Sequence, residues 1–184
     1  MSMALLIESG GYPQLLTEQH ERVRSARIKA ALMANEQLLT LYWNIGKDIL
    51  ARGESDGWNA EEREQLSLDL RRAFPDLMGL CERNLGHMRD FAQAWPTGKI
   101  EQQIVARLPW GHNILLLREV KGRKAREWYA HACIQHGWSR KVFERQIETL
   151  LYERDGRVTG NYHETPFPPK SALTRELLKD PYHL

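Results

Sequence analysis

Apolar residues between Leu15 and Ile49 recur by threes and fours: Leu15, Leu16, Val23, Ala26, Ala30, Met33, Ala34, Leu38, Leu41, Ile45 and Ile49. Such a step keeps them on one side of a helix, and it predicts an amphipathic helix from about Thr17 to Ala51. At 1.5 Å per residue that helix is roughly 50 Å long. A small core cannot cover so long a stripe. Part of it is therefore expected to pack on a second chain, the alternative being two helices bent near Asn35. Gly53 reads as the C-terminal stop, and Glu54 to Asn59 as a polar loop.

A second helix is predicted over Ala60 to Ala73, with Glu61, Glu62 and Glu64 at the positive end of its dipole and Leu66, Leu68, Leu70 and Phe74 turned inward. Pro75 ends it. After a turn through Gly79, Glu82 to Trp95 reads as a third helix. Its inward positions are Leu85, Met88, Phe91, Ala92 and Trp95, leaving Arg83, Asn84, His87 and Asp90 toward solvent. Two helices joined by a glycine-containing turn make a helix-turn-helix candidate. Pro96 to Gly98 break the pattern, and a polar link through Gln102 and Gln103 leads to Pro109, which suits the first turn of a helix carrying Ile114 to Leu117.

Gly122 interrupts again before a helix from Arg123 to His136, expected to bury Trp128, Tyr129, Ala132 and Cys133 and to end at Gly137 as a left-handed cap. Ser139 is placed to cap the next helix, with Val142, Phe143, Ile147, Leu150 and Leu151 inward and Arg140, Lys141, Arg145 and Glu148 outward. Asp155-Gly156 then stands between two short β-capable runs, which predicts a hairpin that could form a small wing. Pro166, Pro168 and Pro169 suggest an extended linker, followed by a short helix through Leu173, Leu177 and Leu178 without a visible partner. The chain divides on this reading into a loose lead (1–12), a helical domain (13–163) and a proline-rich tail (164–184). The fold class expected is mainly α, with helix-turn-helix-like layers on a long N-terminal helix and one β-hairpin wing.

Composition narrows the class. With 42% hydrophobic and 27% charged residues in 184, the chain has the balance of a globular domain and is long enough to bury a core. Its apolar runs are a few residues long, against the roughly 20 of a membrane span. No signal-peptide pattern precedes them, so no membrane partner and a cytoplasmic location are expected. Cys81 and Cys133 lack a C-x-x-C pairing, which argues for two buried thiols rather than a disulfide or zinc site.

The net charge of +2 is small, but it is unevenly spread. Residues 118–145 hold eight basic and three acidic residues, a local +5, while the remaining 18 basic and 21 acidic residues leave the rest at −3. A field of that kind attracts phosphate. Backbone contacts are expected from Arg118, Lys121, Arg123, Lys124, Arg140, Lys141 and Arg145, and groove contacts from Arg83, Asn84 and His87. His112 and Asn113 near a helix start could hold phosphate or cap the chain locally.

Catalytic and cofactor chemistry find no comparable pattern. The seven histidines do not pair at ligand spacing, since His131 and His136 are five apart where two ligands on one helical face are usually four apart. No metal, other cofactor or Gly-rich phosphate loop is expected. Glu119-Val-Lys121 resembles the end of a metal-dependent nuclease motif but lacks the strands and acidic partner that such a centre needs.

Five ordered motifs then come together: Leu41-Tyr-Trp-Asn-Ile-Gly46, Arg83-Asn-Leu-Gly-His-Met-Arg89, Leu108-Pro-Trp-Gly-His-Asn113, Gly137-Trp-Ser-Arg140 and Leu178-Lys-Asp-Pro-Tyr182. Over about residues 12–184 they resemble the N-terminal domain of the YhcG-type PD-(D/E)XK nuclease family, a prokaryotic family. The resemblance implies an all-helical, DNA-binding module that works with a nuclease domain or nuclease protein. Family members usually continue into that nuclease domain near the last motif, so the tail is expected to hold the start of a domain this chain lacks. The function expected is a non-catalytic DNA-binding module of a nuclease system. The competing expectation is a protein-interaction module, homo-oligomeric through the long helix.

Overall fold

In a computed structural model, residues 11–56, 60–96, 98, 100–155 and 167–179 are described, and among them the structure is helical with no strand. The first helix, α1, runs Gly11–Asp56 without interruption. Its 46 residues make it roughly 69 Å long. It extends past both expected ends. Gly53 does not stop it, because a glycine costs a helix about 1 kcal/mol but ends one only where the chain must turn left-handed. Nor does the helix divide at Asn35, whose buried side chain donates through Nδ2 to the carbonyls of Ala106 (2.8 Å) and Leu108 (3.0 Å). The polar residue ties α1 to a later segment instead of breaking it.

The remaining helices are α2 (Ala60–Ala73), α3 (Glu82–Ala94), α4 (Trp110–Glu119), α5 (Arg123–His136), α6 (Arg140–Glu148), α7 (Leu151–Asp155) and α8 (Ala172–Leu177). Two 3₁₀ turns, Ile100–Gln102 and Ile104–Arg107, replace the expected polar link, and bury Ile100, Val105 and Ala106. The core is built on α1 and α3. Tyr42 and Phe91 meet the Trp110 ring edge-on at 5.0 and 5.4 Å. Trp43 Nε1 donates to the Trp95 carbonyl at 2.8 Å. The two helices cross at Gly46, where a Cβ would overlap the Met88 carbonyl, so only glycine permits this approach.

Several inward assignments hold and others do not. Leu85, Met88, Phe91, Ala92 and Trp95 are buried as the period of α3 predicts. Leu68 in α2 and Phe74 just after it are exposed, however, while Ser67 is buried and its Oγ donates to the Leu80 carbonyl. Along α1 only the second half of the stripe is covered: Leu38 and Ile49 are buried, but Leu15, Leu16, Val23 and Met33 face solvent. Val142 and Leu150 are also exposed, and Trp128 is half-buried.

The bounds of α5 are those predicted, and Gly137 closes it at φ 63°. A side chain there would collide with Ser171, because α8 docks on this corner. Leu173 N–H donates to the Gly137 carbonyl at 3.1 Å, and Leu173, Thr174 and Leu177 are buried. The segment expected to stand apart thus packs on the helical domain through Leu173, Thr174 and Leu177. Ser139 caps α6 as expected, its Oγ accepting the Val142 N–H.

The hairpin is corrected over its first arm. Leu150 at φ 52° turns the chain, Tyr152 N–H donates to Tyr129 Oη at 3.1 Å, and residues 151–155 restart as a helix. An Asp-Gly pair makes a hairpin only where its flanks find a strand partner, and helix packing takes those residues first. Residues 156–166 lie outside the described residues. So do 1–10 of the lead and 180–184 of the last motif, whereas Gly11 and Tyr12 already belong to α1.

Candidate nucleic-acid interface

The last turn of α2, the link 74–81 and the first turns of α3 and α6, with α4 alongside, enclose a groove of about 1170 Å³. Five arginines line it, Arg71, Arg72, Arg83, Arg118 and Arg140, and no carboxylate does. Acidic residues stand just outside. Asp69 lies 3.7 Å from Arg72, and Arg118 pairs with Glu119 and, at 3.5 Å, with Glu144. These pairs are solvent-exposed and therefore weak, so a polyanion can displace them. His87 sits between the arginines, its pKa lowered mainly by burial and also by Arg83 and Arg118, with Asp90 opposing. A neutral imidazole can both donate and accept there.

The arginines share the groove with apolar side chains. Phe74 is 55%, Met78 64% and Leu68 39% exposed, and all three line it. Their position follows from the helical period. Leu66 and Leu70 stack one above the other and are half-buried, whereas Leu68 lies about 200° round the helix from Leu66 and must look the other way.

Of the residues expected to contact nucleic acid, Arg83, His87, Arg118 and Arg140 meet at this groove. Asn84 reaches its wall but is 5% exposed. Its Nδ2 donates to the Gly79 carbonyl at 2.6 Å and its Oδ1 accepts Trp110 Nε1 at 2.7 Å. Both its amide nitrogen and its amide oxygen are therefore engaged inside the fold, contrary to its expected solvent-facing place. Lys121, Arg123, Lys124, Lys141 and Arg145 are exposed but lie off the groove. Arg123 pairs with Glu127 at 2.8 Å and covers the Trp95 ring. Arg71 and Arg72 are not among the expected residues; the signal for them was the impossible spread of Leu66, Leu68 and Leu70 over one buried face.

His112 and Asn113 are both about 1% exposed, which removes them as phosphate ligands. Asn113 Nδ2 caps the preceding turn through the Val105 and Leu108 carbonyls. His112 Nε2 lies 3.2 Å from the Trp138 carbonyl, which can only accept, so this nitrogen carries the hydrogen. Burial holds its pKa at about 4, against the opposing Trp138 hydrogen bond. The ring is accordingly neutral at pH 7, and Glu176, 3.7 Å away, is a polar neighbour rather than an ion-pair partner. Glu176 also accepts the Arg140 N–H at 2.9 Å, filling the place at the start of α6 that an anion would take.

That histidine predicts an acid limb. Its folded pKa lies below the unfolded 6.5, so the unfolded chain takes up a proton that the native state refuses. The contribution is complete above about pH 6.5 and lost as the pH falls to about 4, by on the order of 3 kcal/mol. Urea melts of wild type and His112→Gln at about pH 7.5 and pH 4.5 should show a smaller pH difference in the variant. Equal differences would show that His112 does not carry the limb.

Among the described residues there is no cluster of His, Cys, Asp or Glu able to hold a metal ion, and no helix long and apolar enough to cross a membrane. Cys81 is exposed and Cys133 buried, both as free thiols, and burial pushes the Cys133 thiol upward, leaving it unreactive.

A family model, the DUF1016 N-terminal domain, matches residues 18–154. The chain belongs to this family. The chain is also 28% identical over 179 residues to a protein of Escherichia coli (strain K12) called "Putative nuclease YhcG". The match covers 79% of this chain and 47% of that protein, so the chain spans about half the length of the curated relative. No solved structure matches it. The relationship associates this DUF1016 N-terminal domain with a nuclease family.

Proposed function

We propose that this chain is a non-catalytic DNA-binding module of a PD-(D/E)XK nuclease system, acting in the cytoplasm, with the arginine groove holding backbone phosphates. The observation that supports it is a concave lining of five arginines without a carboxylate. Phosphates neutralised there release counterions, which gives the binding its free energy and its salt dependence. The three-residue link between α5 and α6, with its left-handed glycine, supports a helix-turn-helix reading in which Lys141 and Arg145 extend the basic surface from Arg140. Cleavage belongs on this reading to the associated nuclease domain or protein.

Substituting Arg71, Arg83 and Arg140 together by Gln tests it. The slope of log K against log salt on duplex DNA should become shallower by about 0.9 for each phosphate that is no longer neutralised. Unchanged affinity and slope would remove the groove from DNA binding.

A second reading, self-association through α1, is favoured by one further observation. Tyr12, Leu16, Gln19, Val23, Ala26, Ala30, Met33 and Gln37 alternate in steps of four and three, and all of them are exposed. Ile28, Asn35, Leu38, Leu39 and Tyr42 bury the other side of the helix in the domain. The first set has the spacing of a coiled-coil seam without its partner.

A further inference from the structure

We infer that the groove takes an unpaired strand, whose bases settle on Phe74, Met78 and Leu68 while Arg71, Arg83 and Arg140 hold the flanking phosphates. This rests on the phosphate-binding reading and adds to it the kind of strand bound.

A duplex keeps its phosphates outside and its base faces stacked on one another, so an arginine rim suits it but an apolar floor does not. Here the floor is as developed as the rim. Phe74 at 55% and Met78 at 64% exposure stand together in a concave space of about 1170 Å³, where solvated arginines alone would need no hollow. An unpaired base supplies the missing partner, because every base has an apolar π-face that stacks on an aromatic ring whatever its identity. Arginine planes stack on bases as well as pairing with phosphate, so the rim serves both parts of the strand. His87, neutral at pH 7, stands in the same lining to hydrogen-bond base edges. An acidic amphipathic peptide would also match charge and apolar floor, but it would leave the exposed aromatic face without a stacking partner.

The test compares an oligothymidylate with a duplex of equal length by fluorescence anisotropy at one salt concentration, using wild type, Phe74→Ser with Met78→Ser, and Phe74→Tyr. The serine pair should weaken single-strand binding about tenfold, some 1.4 kcal/mol, and leave duplex binding unchanged. Phe74→Tyr should bind like wild type. Circular dichroism melts establish that the exposed substitutions leave the fold intact. An equal loss on both strands, or no loss on either, overturns the inference. The Arg83→Gln, Arg140→Gln protein separates it from its premise: weakening on both strands keeps the phosphate reading even if the serine pair proves silent, and no weakening on either removes that reading. Binding of a synthetic Glu/Leu amphipathic peptide with no strand retained would assign the groove to a protein partner and overturn the inference.

Discussion

Replacing Gly46 by leucine is expected to abolish the native fold, and replacing it by alanine to cost on the order of 1–3 kcal/mol. A Cβ at Gly46 would stand well under 3.0 Å from the carbonyl oxygen and carbon of Met88, atoms of the opposing backbone that cannot rotate away. The only relief is to part α1 from α3. That parting would disturb the Trp43–Trp95 hydrogen bond and the Tyr42–Trp110 contact, which depend on the same separation. A domain of this size has roughly 5–15 kcal/mol to lose, and a leucine would exceed what the crossing can absorb. Urea melts give the measurement, read from the midpoint at constant slope. Gly86 is the internal control: a Cβ there meets nothing within 4 Å, so Gly86→Ala should be neutral or stabilising by up to about 1 kcal/mol. A Gly46→Ala protein within about 0.5 kcal/mol of wild type would show that close backbone packing at this crossing does not govern stability.

The motifs that carried the family resemblance turn out to be largely the places where the chain is forced into this packing. Trp43 and Gly46 set the α1–α3 crossing, Asn84 ties the turn at Gly79 to Trp110, Asn113 caps the turn before α4, and Gly137 makes room for α8. This explains why the helical class was legible while the surface was less so. Helices α2 and α5 have the bounds their punctuation predicts, because Pro75, Gly122 and Gly137 act locally. What depends on distant contacts was not legible. Asn84 looks polar and solvent-facing until Trp110 arrives from 26 residues away, and α8 looks unpartnered until Gly137 is beside it. The single apolar stripe of α1 is really two faces, one for the domain and one open, and a threes-and-fours pattern cannot separate them. For the groove, four of the ten expected residues gather at the basic opening and a fifth is locked in its wall. Arg71 and Arg72 join them only because α2 turns its charged last turn inward to the cleft.

The open face of α1 gives the remaining large effect: the protein should sediment at tens of micromolar as a dimer, at twice 21.4 kDa, and Leu16→Lys with Val23→Lys should return it to a monomer. Val23 and Met33 are 58% and 68% exposed in the single chain, and successive seam positions stay uncovered from Tyr12 to Met33. Sustained a/d spacing of this kind is what a second helix covers. Because neither Leu16 nor Val23 supports the chain's own core, the substitutions should change its melting by no more than about 0.5 kcal/mol each. Loss of the fold in the double variant would instead assign the seam to intrachain stability, and a wild-type monomer would leave it without a partner copy. The sign of the salt effect supplies an independent check. Arg22, Arg27 and Lys29 flank the seam, so two copies bring cations toward one another, and raising salt from about 0.1 to 0.5 M should tighten the dimer by screening them. The arginine groove must respond the other way, since phosphate binding weakens as salt rises. One preparation followed through the same salt series by sedimentation and by strand binding therefore separates the two surfaces: opposite trends place self-association on α1 and the polyanion in the groove, whereas parallel trends would mean that assembly and binding use one electrostatic surface.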